Sequence, residues 1–129
     1  MTSRGLDILS ESECYQLLRD CTFGRVGVHL GTELVVLPVY YALVDHDVVL
    51  RTSPGTKLAA ALLGARVAFE IDNPAPGWSV LVRGHAHELR DPDEETRARV
   101  ALGHDWPAGE REHYVRITTE VITGRKLTG

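Results

Sequence analysis

The chain is poor in the residues that carry redox or metal chemistry directly: two cysteines, one methionine and 6% aromatic residues in 129. Cys14 and Cys21 stand seven residues apart on one predicted helix. That spacing is roughly 10 Å along a helix axis, too far for a disulfide, and no CxxC is present. They read as buried thiols. Positive charge is also short, with 14 Lys and Arg against 18 Asp and Glu and a formal net charge of −4. The cations are scattered and no aromatic residues interleave with them, which argues against nucleic-acid binding. No stretch approaches the ~20 apolar residues of a membrane span. The opening MTSRGLDILSESE has no apolar core of leader length. A cytoplasmic protein without membrane contact is expected. GxSxG, HExxH and a nucleophile with a base at readable spacing are all missing, which removes several hydrolase classes.

What is present is a globular composition, 43% hydrophobic and 25% charged, suited to one domain over 1–129. Ser10-Glu11-Ser12-Glu13 is a capping box, and Cys14, Leu17, Leu18 and Cys21 recur at helical spacing, predicting a helix over 11–21. Strand patterns follow from Phe23 to Val28, along Glu33–Leu43, over Val48–Thr52, Arg66–Asp72, Trp78–Leu89 and Tyr114–Leu127. Pro38 interrupts the second of these, so that strand is expected at an edge or bulged. Asp45-His46-Asp47 reads as a hairpin turn and Thr56–Leu63 as a helix. Asp91-Pro92-Asp93-Glu94 starts a third helix to about Leu102, and 103–112 reads as a charged loop holding Trp106. Strands outnumber helices and follow one another directly, so the expected fold is mainly β with short helices, a six- to seven-stranded antiparallel barrel.

The segment RTSPGTKL, residues 51–58, places Arg51 and Lys57 around a tight turn before a helix. Ser53 and Thr56 offer hydroxyls, Gly55 admits close backbone approach, and a helix start favours an anion. Arg51 can grip two oxygens and Lys57 adds a point charge. A Walker A loop lacks its first Gly here, so a nucleoside triphosphatase fits poorly. The segment is either a phosphate seat or a solvated strand-to-helix turn.

The order of several motifs adds to this. The chain resembles the flavin-binding split-barrel family related to pyridoxamine 5′-phosphate oxidase, in its small nitroimidazole-reductase-like branch. The residues that carry the resemblance are Leu9-Ser10-Glu11-Ser12-Glu13-Cys14, Phe23-Gly24-Arg25-Val26, Pro38-Val39-Tyr40-Tyr41, Arg51–Leu58, Val67–Glu70, Trp78–Gly84, Val115–Ile117 and Thr123–Arg125. Tyr40 departs from the branch, which often has Asn there. The resemblance implies a homodimeric split barrel with FMN in two interface clefts. Arg51, Thr52, Ser53 and Lys57 would hold the phosphate, Pro38, Val39 and Tyr40 would line the isoalloxazine, and Trp78, Ser79 and Val80 would complete the cleft, from the same or from the other subunit. The activity implied is hydride or electron transfer through flavin N5 to or from a small organic substrate.

Two alternatives stay open: an F420-dependent reductase of the same fold, and a non-catalytic flavin- or haem-binding carrier or sensor. His85 and His87 share one strand face, but no third ligand is evident, so no metal site is expected. Glu70 reads as a rim residue or as a buried acid with a raised pKa, and Arg83 and Arg116 as either anion ligands or inward barrel-end cations paired with acids. Trp78 reads as a ring-stacking residue or a plug of the barrel mouth.

Overall fold

The computed structural model describes residues 6–52, 56–103 and 113–127. Eight strands form one antiparallel sheet, joined by three helices. In chain order they are β1 (Leu6–Ile8), α1 (Glu11–Asp20), β2 (Phe23–Leu30), β3 (Glu33–Tyr40), β4 (Ala42–Val44), β5 (Asp47–Thr52), α2 (Lys57–Leu62), β6 (Arg66–Asn73), β7 (Trp78–Glu88), α3 (Pro92–Leu102) and β8 (His113–Leu127). The spatial order is β3-β2-β6-β7-β8-β5-β4, with β1 added to β8. The sheet curls into a split barrel around Val26, Val28, Leu50, Phe69, Ile71, Val80, Val82 and Ile117. These residues alternate along their strands with exposed ones, as a half-buried sheet requires.

α1 starts where the capping box puts it. Ser10 Oγ accepts from the Glu13 N–H and Glu13 Oε1 accepts from the Ser10 N–H, both at 3.1 Å. Cys14, Tyr15 and Leu18 face the core, and burial raises both thiols above the usual range, which leaves them unreactive. Ser10→Ala is expected to lower stability by about 1 kcal/mol, read from the urea midpoint.

Two strand expectations change. Leu6–Ile8, unforeseen, pairs with the end of β8, Leu6 opposite Leu127. The run 33–43 is two strands that part at Tyr41. Its N–H still follows the β2–β3 register, donating to Thr22 O at 2.9 Å, and its hydroxyl donates to Leu18 O at 2.7 Å. Its ring meets Phe69 edge-on at 4.8 Å. One buried residue therefore carries the chain from one edge of the sheet to the other. Pro38 lies on the edge strand β3, where its missing N–H breaks no central ladder. β5 is buried on both faces: Val48 and Leu50 point into the barrel, and Val49 lies with Leu89, Ala98, Leu102 and Tyr114 in the cluster that α3 helps to build. No helix among the described residues is long and apolar enough to cross a membrane.

Candidate functional site

β5 ends at Arg51 and Thr52, held opposite Tyr114 and His113 of β8. Ser53, with Pro54 and Gly55, lies outside the described residues, as does Trp106. Lys57 opens α2, and nothing is described of its side chain. Thr56 is the N-cap, its hydroxyl accepting from the Ala59 N–H at 3.1 Å, so part of its capacity is already used by the helix. Arg51 is half-buried. Thr52 is 5% exposed, and its Oγ1 is buried with no hydrogen-bond partner among the described residues. A hydroxyl left that way costs about 1–3 kcal/mol. The elbow therefore offers a cation and an unsatisfied hydroxyl side by side, a donor set that fits a phosphate-bearing group.

Pro38, Val39 and Tyr40 form the last turn of the edge strand. Pro38 and Tyr40 face outward, and Val39 packs against the core. Tyr40 meets Phe23 edge-on at 5.1 Å. As an edge, β3 has no strand on its outer side among the described residues, so its outward backbone groups can receive a guest. The β4–β5 register sets Ala42 opposite Val49. β3 and β5 touch, so the strands that carry the Pro38–Tyr40 segment and the Arg51–Thr52 elbow meet.

Trp78, Ser79 and Val80 are not part of that meeting. Along the sheet Val39 faces Gly24, and Val80 faces Ile71, so β2 and β6 stand between them. Three strand spacings are about 14 Å. Val80 is in the core, 1% exposed, so only its backbone is available to a ligand. Trp78 is half-buried against the core and lines a depression of about 380 Å³ with Ser79, Glu70, Asp72 and Arg125.

The remaining charged residues sort by register. Arg116 pairs with Asp47 (2.7 Å) and more loosely with Asp45 (3.9 Å), a cation matched by acids; it is not inward, because it alternates with the core residues Val115 and Ile117 and lies opposite Val49 on the face away from the barrel interior. Arg83 is exposed, not inward, because it falls on the outer phase of β7. Glu70 is half-exposed beside Arg25. Burial and the neighbouring Asp72 push it up to about 7, with Arg25 opposing. His85 and His87 both point outward; His85 Nδ1 meets Glu120 Oε1, and His113 Nδ1 lies 2.9 Å from Glu88 Oε1. His46 stacks on Tyr15 at 4.2 Å. Among the described residues no three His, Cys, Asp or Glu side chains gather as a metal site would need. Sequence reasoning missed the Arg25–Glu70–Asp72 cluster and the Asp47 anchor. Alternation marks Arg25 and Glu70 as outward, but only the strand register makes them neighbours.

Residues 10–126 match the family described as pyridoxamine 5′-phosphate oxidase, so the chain belongs to that family. Among curated proteins it is similar to the uncharacterized protein Rv0080 of Mycobacterium tuberculosis, 32% identical over 128 residues, covering 92% of this chain and 84% of the relative. Among solved structures it is similar to the FAD binding protein from Mycobacterium smegmatis, with 34% identity and a TM-score of 0.86, covering 95% of this chain and 100% of that one. A FAD-binding protein from Mesorhizobium loti is 27% identical with a TM-score of 0.78, over 96% of this chain and 98% of its own.

Proposed function

We propose that the protein is a homodimeric flavin-binding oxidoreductase, with the flavin phosphate at the Arg51–Lys57 elbow and the isoalloxazine along Pro38–Tyr40. The observation that carries this reading is the contact between β3, whose outer edge is unpaired among the described residues, and β5, the strand that ends in the elbow. Arg51 grips two phosphate oxygens, Lys57 adds a point charge, and the Thr52 and Ser53 hydroxyls donate. The outward backbone of Pro38, Val39 and Tyr40 faces the ring's polar edge. Trp78 and Ser79 of the partner subunit, with the backbone of the partner's Val80, close the cleft, because a chain's own copies lie three strands away from its β3. The exposed apolar side chains on the outer sheet face, Leu34 (74%), Val36 (66%), Tyr40 (54%) and Phe23 (46%), support the dimer.

The flavin, when bound, supplies hydride or electron transfer through N5, and the protein supplies binding, orientation and exclusion of water. The substrate class is a small organic acceptor. FMN is the smallest ligand that uses both the ring edge and the elbow. Likeness to two FAD-binding proteins supports FAD as a second reading, and F420 would place its phosphate on the same cations.

The visible spectrum of the protein as isolated, followed by titration with FMN, FAD and F420, separates these. A bound flavin gives a yellow protein, whereas an F420 user purifies colourless. A carrier or sensor binds the ligand without turnover on any reductant and acceptor pair. Arg51→Ala with Lys57→Ala is expected to weaken flavin affinity at least about tenfold, or about 1.4 kcal/mol. Unchanged affinity in the folded double variant removes the elbow assignment.

A further inference from the structure

The outer face of β3, β2, β6 and β7 carries Arg25, Glu70 and Arg83 in two adjacent cross-strand rows, with Asp72 in the row before them, opposite Ser79, and the exposed Arg66 in the row after, opposite His85. One runs Pro38–Arg25–Glu70–Leu81 and the next Val36–Gly27–Ala68–Arg83. In the first, Arg25 Nη1 lies 3.5 Å from Glu70 Oε1 and 3.3 Å from Asp72 Oδ2, so one guanidinium serves two carboxylates. In the second, Arg83 is exposed, stands diagonally across β6–β7 from Glu70, and makes no ion pair among the described residues. The surface around them is apolar, with Leu34, Val36, Tyr40 and Val121 all exposed. Crowding of two acids around one cation shows in Glu70, which is held up at about 7 by burial and Asp72.

We infer that a second copy of this chain covers this face, and that the partner's Arg83 supplies the missing second cation to the Glu70–Asp72 pair, reciprocally in both copies. The inference rests on the dimeric reading above and adds the contact that sets how the two copies meet. Charge argues for the occupant. A two-fold contact joins the same patch on both subunits, so the patch must complement itself. This patch holds two acids that share one cation and, beside them, the exposed Arg83. Arg25, Arg66 and Arg83 are matched on this face by Glu70, Asp72 and Glu120, so neither a polyanion nor a polycation is favoured over another copy.

The arrangement makes assembly depend on pH with a definite sign. The charged groups facing Glu70 are Arg25 from β2, Asp72 along β6 and Arg83 from β7; Pro38 and Val36 of β3 add none, and Arg125 lines the depression beside Asp72. An arriving guanidinium favours the ionised carboxylate and lowers its pKa in the dimer relative to the free chain. Assembly therefore releases protons. It tightens as pH rises through about 7 and loosens as pH falls.

Sedimentation equilibrium of the full chain at pH 6 and pH 8 tests this. The wild type is expected to dimerise at least about tenfold more tightly at pH 8. Glu70→Gln and Arg83→Gln should each remove that dependence, their combination should add little, and Arg83→Lys should retain part of it. Val36→Asp, on the same face, should be monomeric. A dimer indifferent to pH, or tighter at pH 6, overturns the inference and leaves the dimeric reading standing. So does a dependence that survives in Arg83→Gln, or a Val36→Asp chain that dimerises like the wild type. A wild type that stays monomeric at both pH values overturns both. The wild-type comparison decides the matter even where a variant fails to fold.

Discussion

Replacing Gly84 with Ala is expected to lower stability by about 3 kcal/mol or more, a large part of the ~5–15 kcal/mol that holds a domain together. A Cβ at Gly84 would stand 1.8 Å from Thr118 O and 2.9 Å from Thr118 C. The cause is a slip in the β7–β8 register. Arg83 faces Val121 and Gly84 faces Thr119, so Glu120 is an extra residue on β8. Such a bulge bends its strand and brings backbone close to the partner, a place that glycine fills. The obstructing atoms are main chain in the middle of the sheet, with β6 on one side and β5 on the other. Moving them breaks ladder bonds, so relaxation is expensive. Urea unfolding followed by circular dichroism measures the loss. An Ala variant within about 1 kcal/mol of wild type would show that the two strands are not so closely set.

The second large effect is expected at Asp47. Its Oδ2 accepts from Arg116 Nε at 2.7 Å and its Oδ1 from the Thr119 N–H at 3.0 Å. Thr119 Oγ1 in turn donates to His46 O at 2.8 Å. The β4–β5 turn is thereby tied to the middle of β8, next to the bulge. Both side chains of the ion pair are mostly buried, 18% and 17% exposed. Asp47→Ala leaves a guanidinium with only the distant Asp45 and a part-buried N–H without an acceptor. The expected loss is about 2–3 kcal/mol, below the range for fully buried pairs because some solvent reaches this one. Asp47→Asn keeps an acceptor for Thr119 and should lose about half as much. Equal losses in the two variants would mean that charge alone matters. The denaturation slope should stay constant in both, since neither changes the surface exposed on unfolding.

Much of this fold is legible locally. Ser10 and Glu13 announce the start of α1, Asp91 and Pro92 that of α3, and Pro38 marks β3 as an edge. In each case the signal and its physical effect lie within a few residues. The break at Tyr41 is not legible, because Tyr41 continues an apolar strand pattern and what anchors its hydroxyl there is Leu18 O, 23 residues away. β1 is too short to have a pattern, and exists because the end of β8 offers it a ladder. Of the candidate site, the sequence supplies the residue types of the elbow, but not the contact of β5 with β3. Nor does it show that Val80 is turned into the core while Arg83 is turned out.

By itself the sequence determined the class of fold, the order of the elements and the chemistry available at the elbow, since these follow from periodicity, capping and composition over short stretches. Only the tertiary structure decided which distant residues become neighbours. Arg25 and Asp72, 47 residues apart, share a contact, and Asp47 reaches Arg116 across 69. Those pairings depend on strand register and on how the sheet curls. Both are set by the packing of the whole core at once, and no short segment encodes them.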